Sequence, residues 1–202
     1  MNALDGHVAR VGANAQLAFG GDGDFVIRFQ RFRVRAFTHT GHDFNPVADR
    51  LRLIGSDGTN LRVNVDDGKV VVDGALKFAE TDMHKGEKPN VVAGAYSNSF
   101  KGTKETALYD IDMTIGALFK QAPPNDGVLN TIGKFGFKLS GLVAFNIVAG
   151  ENGMNAAWLA HGGTLYAVDL ATGKASETGK FSGLKGTIRD IAWWPAASKQ
   201  SM

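Results

Sequence analysis

Cysteine is absent from the 202 residues. That excludes disulfides, cysteine-ligated zinc, iron–sulfur clusters and thiol catalysis. It leaves the cellular compartment open. No run of ~18 apolar residues occurs, so no transmembrane helix is expected. Residues 1–20 have no basic-then-apolar start, so no ordinary signal peptide is expected either. An excess of one charge is also missing. Lys and Arg total 22 against 20 Asp and Glu, a net +2, too little for nucleic-acid binding through bulk electrostatics. At 44% hydrophobic and 21% charged, the chain is a folded domain with a real core, not a disordered segment.

Glycine is what the chain has in excess. There are 26, about 13% of the residues against a usual ~7%. With 13 Phe and few long helix-forming stretches, this composition predicts many short strands and tight turns.

Two short elements recur along the chain. The first is Asp43-Phe44-Asn45-Pro46, Ala95-Tyr96-Ser97-Asn98, Ala144-Phe145-Asn146-Ile147 and Ala192-Trp193-Trp194-Pro195. Its aromatic positions, 44, 96, 145 and 193, are spaced by 52, 49 and 48 residues. The second is an alternating strand followed by Asp and a Gly turn: Leu61–Gly68, Leu108–Gly116 and Leu165–Gly173, with a degenerate copy in Ala3–Val8. Alternation marks a half-buried strand, and Asp with Gly supplies the turn.

In the unit 142–181 this gives four strands: Leu142–Val148, Ala156–Ala160, Thr164–Val168 and Ala175–Phe181. Four strands repeated every 40–50 residues is the spacing of a β-propeller blade. One such sheet cannot bury both faces alone, but stacked blades can. The predicted fold is therefore all-β, a β-propeller-like array of four-stranded antiparallel blades in a single domain, 1–202. Whole blades are expected at 40–90, 91–140 and 141–186. A fourth is expected to be composite, from a hairpin in 1–19 and a closing inner strand in 187–195, with 20–39 a divergent Arg/Phe-rich segment. Each repeated aromatic is expected to lie between neighbouring blades.

Gly41–Arg52, Asn60–Asn64, Val72–Leu76, Pro89–Asn98, Gln121–Gly133 and Thr164–Gly173 form a further set of stretches. Together they resemble DUF4394, a bacterial family of unknown function. The resemblance covers about 40–195 and leaves out 20–38. It implies a propeller-like all-β fold in a bacterial protein that is extracytoplasmic, periplasmic or secreted. It carries no catalytic residues over to this chain.

The residues themselves offer four candidate sites. The polar set Asp43, Asn45, Asp49, Arg50, Arg52, Asn60, Arg62 and Asn64 could line a small-ligand pocket at a channel mouth. Alternatively, these groups satisfy turns and one another. His39, His42 and Asp43 form an H-x-x-H-D array that could hold a divalent metal, provided Thr40-Gly41 turns. On a straight strand residues three apart face oppositely, and the two histidines are then ordinary loop residues. Gly20–Asp24 looks like a fragment of a calcium loop but lacks the remaining oxygen ligands, and reads better as a turn.

The fourth candidate is Phe25–Phe37, with Arg28, Arg31, Phe32, Arg33 and Arg35. Arg31, Arg33 and Arg35 share one strand face. The apolar residues before Gln30 have the same parity, so a bulge or bend near Gln30-Arg31 is expected. The segment reads either as a partner contact or as a charged edge strand that resists aggregation. Trp194 is expected to be exposed and to join the partner contact. No nucleophile elbow and no cofactor motif appears.

These readings predict a non-catalytic structural or protein-interaction module, a subunit of a larger bacterial assembly. Its partner is a protein or a second copy of the chain, with an anionic surface reached through the arginines as a further class. The alternative is a small-ligand- or metal-binding propeller, hydrolase-like, that uses the Asp43–Asn64 cluster. A third reading is an incomplete propeller finished by self-association or another subunit, driven by open blade edges.

Overall fold

The computed structural model describes residues 9–11, 15–19, 25–29, 32–35, 40–150, 152–183 and 186–192, with backbone placement and strand pairing alone before residue 41. Among these residues there is no α-helix, and the strands fall into four sheets that do not join into a closed barrel. The first sheet is β1 (Ala9–Val11), β2 (Ala15–Phe19), β3 (Phe25–Phe29) and β4 (Phe32–Arg35), in that order. The second is β5 (Thr40–Asn45), β6 (Arg50–Gly55), β7 (Asn60–Val63) and β8 (Val70–Val72). The strand β9 (Lys77–Phe78) follows, then β10 (Val91–Tyr96), β11 (Leu108–Asp112), β12 (Ala117–Gln121) and β13 (Val128–Lys134), which form the third sheet. The fourth is β14 (Val143–Ala149), β15 (Asn155–His161), β16 (Thr164–Val168) and β17 (Ala175–Lys180).

Strands that follow one another in a sheet pair antiparallel, and the one parallel pair among the described strands is β9 with β13. The turn repeat seen in the sequence has one geometry in three places. The Gly68, Gly116 and Gly173 amides donate to the carbonyls of Asn64, Asp112 and Asp169, four residues back. The same Asn or Asp side chain also accepts an amide of its own loop: Asp66, Ile115 and Ala171 respectively. All three glycines have positive φ, between 67° and 74°, which explains why glycine recurs there. Gly162-Gly163 joins β15 to β16 with both φ values positive, the hairpin turn whose twist matches the strands.

Two details differ from the sequence expectation. The N-terminal strands do not contribute a hairpin to a composite blade: β1–β4 pair in chain order as their own four-stranded sheet. The bulge or bend expected near Gln30-Arg31 falls between β3 and β4, which pair antiparallel, Phe29 against Phe32. Residues 187–192 are not a strand. Gln30, Arg31, His39 and 193–195, including Trp193 and Trp194, lie outside the described residues.

Two cores lie between neighbouring sheets. One packs Ile54 of β6 against Tyr96, Leu108, Phe119 and Leu129 of the third sheet, together with Leu76 and Phe78. The other packs Val92, Ile111 and Leu118 against Phe145, Ile147 and Leu159 of the fourth. Tyr96 and Phe145 are thus inter-sheet aromatics, as their repeat position predicts, whereas Phe44 is only half-buried. The leading strands β5, β10 and β14 lie side by side. Glycine permits a close approach of β5 to β10: a Cβ on Gly41 would sit 2.7 Å from the Gly94 nitrogen.

Candidate functional site

The polar residues of 43–64 separate into three groups. The first centres on Arg52, only 1% exposed. Its strand β6 directs it inward, where its guanidinium donates to the Tyr96 hydroxyl (3.0 Å), Asn60 Oδ1 (2.6 Å), Asp73 Oδ2 (2.8 Å) and Asn125 Oδ1 (2.8 Å). Arg62 adds two bonds to Asp73, at 2.7 and 2.9 Å. Burial pushes the Asp73 carboxyl up, but the hydrogen bonds and charges of Arg62 and Arg52 outweigh it and hold it below the usual carboxylate range. The Asn60 amide donates to the Gly74 and Pro124 carbonyls, both at 3.0 Å. The group therefore ties β6, β7 and β10 to the short 3-10 turn Pro124–Asp126. Asp73, Tyr96 and Asn125 complete it and were not among the sequence candidates. Their partners lie 11 to 73 residues away, beyond the reach of local spacing.

The second group is Asp43 with His42. Asp43 accepts the amides of Phe44 (2.7 Å) and Tyr96 (2.6 Å), linking β5 to β10. Burial raises its carboxyl to about 6 in spite of those amides, and Asp190 nearby pushes the same way. His42 Nε2 lies 3.9 Å from Asp190 Oδ2. Burial lowers the His42 imidazole while Asp190 opposes that shift. On the other side, the Asn146 side chain donates to the Ile191 carbonyl at 3.1 Å. Segment 187–192 thus touches β14 at one point and β5 at another. No group of three metal-ligating side chains occurs among the described residues. The H-x-x-H-D array is not assembled there, with His39 outside them.

The third group serves turns. Asn45 Oδ1 accepts the amides of Val47 and Ala48, Asp49 takes a φ of 50°, and Arg50 donates to the carbonyls of Ala48 and Asp49. Asn64 holds the loop before β8. None of these turn bonds reaches Arg52, Asn60 or Arg62.

Sequence reasoning passed over Asp110. This β11 residue is fully buried, neither carboxylate oxygen has a hydrogen-bond partner among the described residues, and burial raises it to about 8 against the opposing charge of Arg52. It lies over Gly94, where an added Cβ would come within 2.6 Å of its Oδ1. An alternating strand with Asp at an inward position was the available signal.

The arginine segment lies in the first sheet. Arg28 stands directly opposite Arg33, and Arg35 opposite Val26. The register across β1–β4 places Arg10, Gln16, Arg28, Arg33 and Arg35 on one face, and Leu17, Phe25, Ile27, Phe29, Phe32 and Val34 on the other. No acidic residue occurs in these four strands. On the outer face of the fourth sheet, Asn146, Val148, Trp158, Leu165, Phe181 and Ile191 border a cavity of about 520 Å³. No helix is long and apolar enough to cross a membrane among the described residues.

Three solved structures similar to this chain come from Bacteroides. One is the extracellular domain of the putative hybrid two component system BT4673 from B. thetaiotaomicron, at 12% identity and a TM-score of 0.47, over 86% of this chain and 22% of that one. A protein of unknown function from Bacteroides thetaiotaomicron VPI-5482 matches at 16% identity and a TM-score of 0.47, over 81% of this chain and 44% of that one. Another of unknown function, from Bacteroides caccae, matches at 17% and 0.45, over 85% and 59%. This chain therefore spans between about a fifth and three-fifths of their lengths. No curated protein matches it. The family model of a domain of unknown function, DUF4394, matches residues 24–192. That match begins ahead of the expected limit near residue 40 and takes in the arginine segment. The chain belongs to the DUF4394 family.

Proposed function

We propose that this chain is a non-catalytic, propeller-like interaction module, extracytoplasmic as its family resemblance implies, whose first sheet binds an acidic protein surface. The observation that carries the reading is the register of β3 and β4, which sets Arg28 directly across from Arg33 with Arg35 on the same face. Like charges opposite one another in a sheet are destabilising, and these strands hold no compensating acid. A partner's carboxylates relieve that repulsion through bidentate pairs. The propeller reading draws its support from the two inter-sheet cores and the side-by-side leading strands. The ligand-pocket alternative has less support, because Arg52, Asn60 and Arg62 are engaged by internal acceptors.

A fluorescent poly-glutamate peptide tests this directly by anisotropy. The full chain binds it at low salt and more weakly as NaCl rises, since screening shortens the reach of exposed charges. The triple variant Arg28→Glu, Arg33→Glu, Arg35→Glu loses the binding with an unchanged melting temperature. Equal binding by wild type and the triple variant would sink the proposal.

A further inference from the structure

The three sheets with described side chains each end on an outer strand, and those edges are not alike. The β13 edge is covered, because β9 pairs with it in parallel, Lys77 against Val128 and Phe78 against Leu129. The β17 edge is polar, with Glu177 and Lys180 on an exposed strand. Both are ordinary ways of keeping an edge from pairing. The β8 edge has neither. It reads Val70-Val71-Val72, exposed by 38%, 48% and 77%, and among the described residues only β7 pairs with it.

The hydrogen bonds on its inner side show which groups face out. The Asp73 amide donates to the Asn60 carbonyl, and the Asn64 amide donates to the Lys69 carbonyl. Val71 is paired with Arg62 between them. Alternation along an antiparallel ladder then directs the N–H and C=O of Val70 and Val72 away from the sheet. The edge presents two donors, two acceptors and a β-branched surface, the features by which a strand adds to a sheet.

The order of residues selects the occupant. Lys69-Val70-Val71-Val72-Asp73 has a cation at one end, an anion at the other and valines between. A second copy laid antiparallel about Val71 brings Val70 against Val72 at both ends, so all the outward backbone groups pair. Lys69 then stands opposite Asp73 of the other copy. Arg52 and Arg62 already hold Asp73, so this attraction is modest. Its main consequence is that the two Lys69 side chains are kept apart, whereas a parallel arrangement would stack them. The antiparallel contact is self-complementary and closes on a two-fold axis.

We propose that the chain forms a two-fold dimer through antiparallel pairing of its β8 edges, centred on Val71. This deepens the interaction-module reading and rests on it only for the expectation that the chain meets another polypeptide. The β8 edge and the arginine strands belong to different sheets, so the triple arginine variant should still dimerise and a β8 variant should still bind poly-glutamate. Each proposal can therefore fail alone.

The absence of native cysteine makes the test sharp. In this register the two copies of residue 71 form a non-hydrogen-bonded pair with Cα atoms about 4.5 Å apart, within disulfide range. The two copies of residue 70 are offset by two positions and lie beyond it. Under mild oxidation Val71→Cys should cross-link the full chain to a dimer, and Val70→Cys should not. Sedimentation equilibrium should show a concentration-dependent dimer for wild type. Val71→Lys should lose it at an unchanged melting temperature. If that variant does not fold, the contrast between the two cysteine variants still decides. A wild type that stays monomeric, a dimer that survives Val71→Lys, or equal cross-linking at 70 and 71 would each overturn the proposal. So would a monomer that takes an unrelated extended peptide at β8.

Discussion

Asp110 and Arg52 show how differently two buried charges can be handled in one core. Arg52 has four acceptors in range, and removing it leaves Asp73 and Asn60 buried without it. Arg52→Ala is expected to cost about 3–5 kcal/mol, the usual result of breaking a buried ion pair from one side. Arg50→Ala, at an exposed turn, should change stability by less than ~0.5 kcal/mol. Chemical denaturation of the two variants checks both. Asp110 has no hydrogen-bond partner among the described residues, and burial raises its carboxyl from an ordinary 3.8 to about 8. The folded protein thus holds that proton more tightly than the unfolded chain does. The resulting stability is fully present below pH ~4, falls as pH rises toward 8, and is gone above it. Asp43, raised to about 6, adds a smaller decline over a lower window. Thermal melts from pH 5 to 9 should show a falling midpoint in wild type and a flatter profile in Asp110→Asn. Parallel profiles would show that Asp110 does not carry the effect.

The repeated turns are the level at which sequence and structure agree most closely. Their Asn or Asp and their Gly lie four residues apart in the chain, and the geometry needs a positive φ at the later one. The strands of 142–181 were legible for the same reason, and their observed limits differ from the expected ones by at most one residue. What remained hidden depended on pairing across distance. The Arg52 network draws Asp73 and Asn125 from other loops, β9 crosses to the third sheet, and β1–β4 form a separate sheet. No local pattern distinguishes an Asp that caps a turn from one that two arginines grip. The turn copies themselves are not equivalent. Asp112 is fully buried and accepts the amides of Asn90 at 2.6 Å and Ile115 at 2.9 Å, whereas Asp169 serves an exposed loop. Asp112→Ala strands two amides and should cost roughly 2–3 kcal/mol. Asp169→Ala should leave the unfolding midpoint almost unmoved, and equal losses would show that the turn bond matters more than burial.

At the scale of the molecule, the third sheet holds its neighbours together. One core couples it to the second sheet through Ile54 and Tyr96, and the other couples it to the fourth through Ile111 and Phe145. The strand β10 serves both, since Val91 and Tyr96 belong to the first core and Val92, Ala93 and Ala95 to the second. The second and fourth sheets each share a buried core with the third, so both draw stability from this strand. The two cores should therefore melt together. Leu129→Ala opens a cavity in one and Leu159→Ala in the other, each at about 2–5 kcal/mol. Hydrogen exchange gives the decisive reading. If the cores are one cooperative unit, Leu159→Ala lowers amide protection in β6 and β7 as much as in β15 and β16. Independent sheets would instead confine the loss to the fourth, because local opening there would not pass through β10.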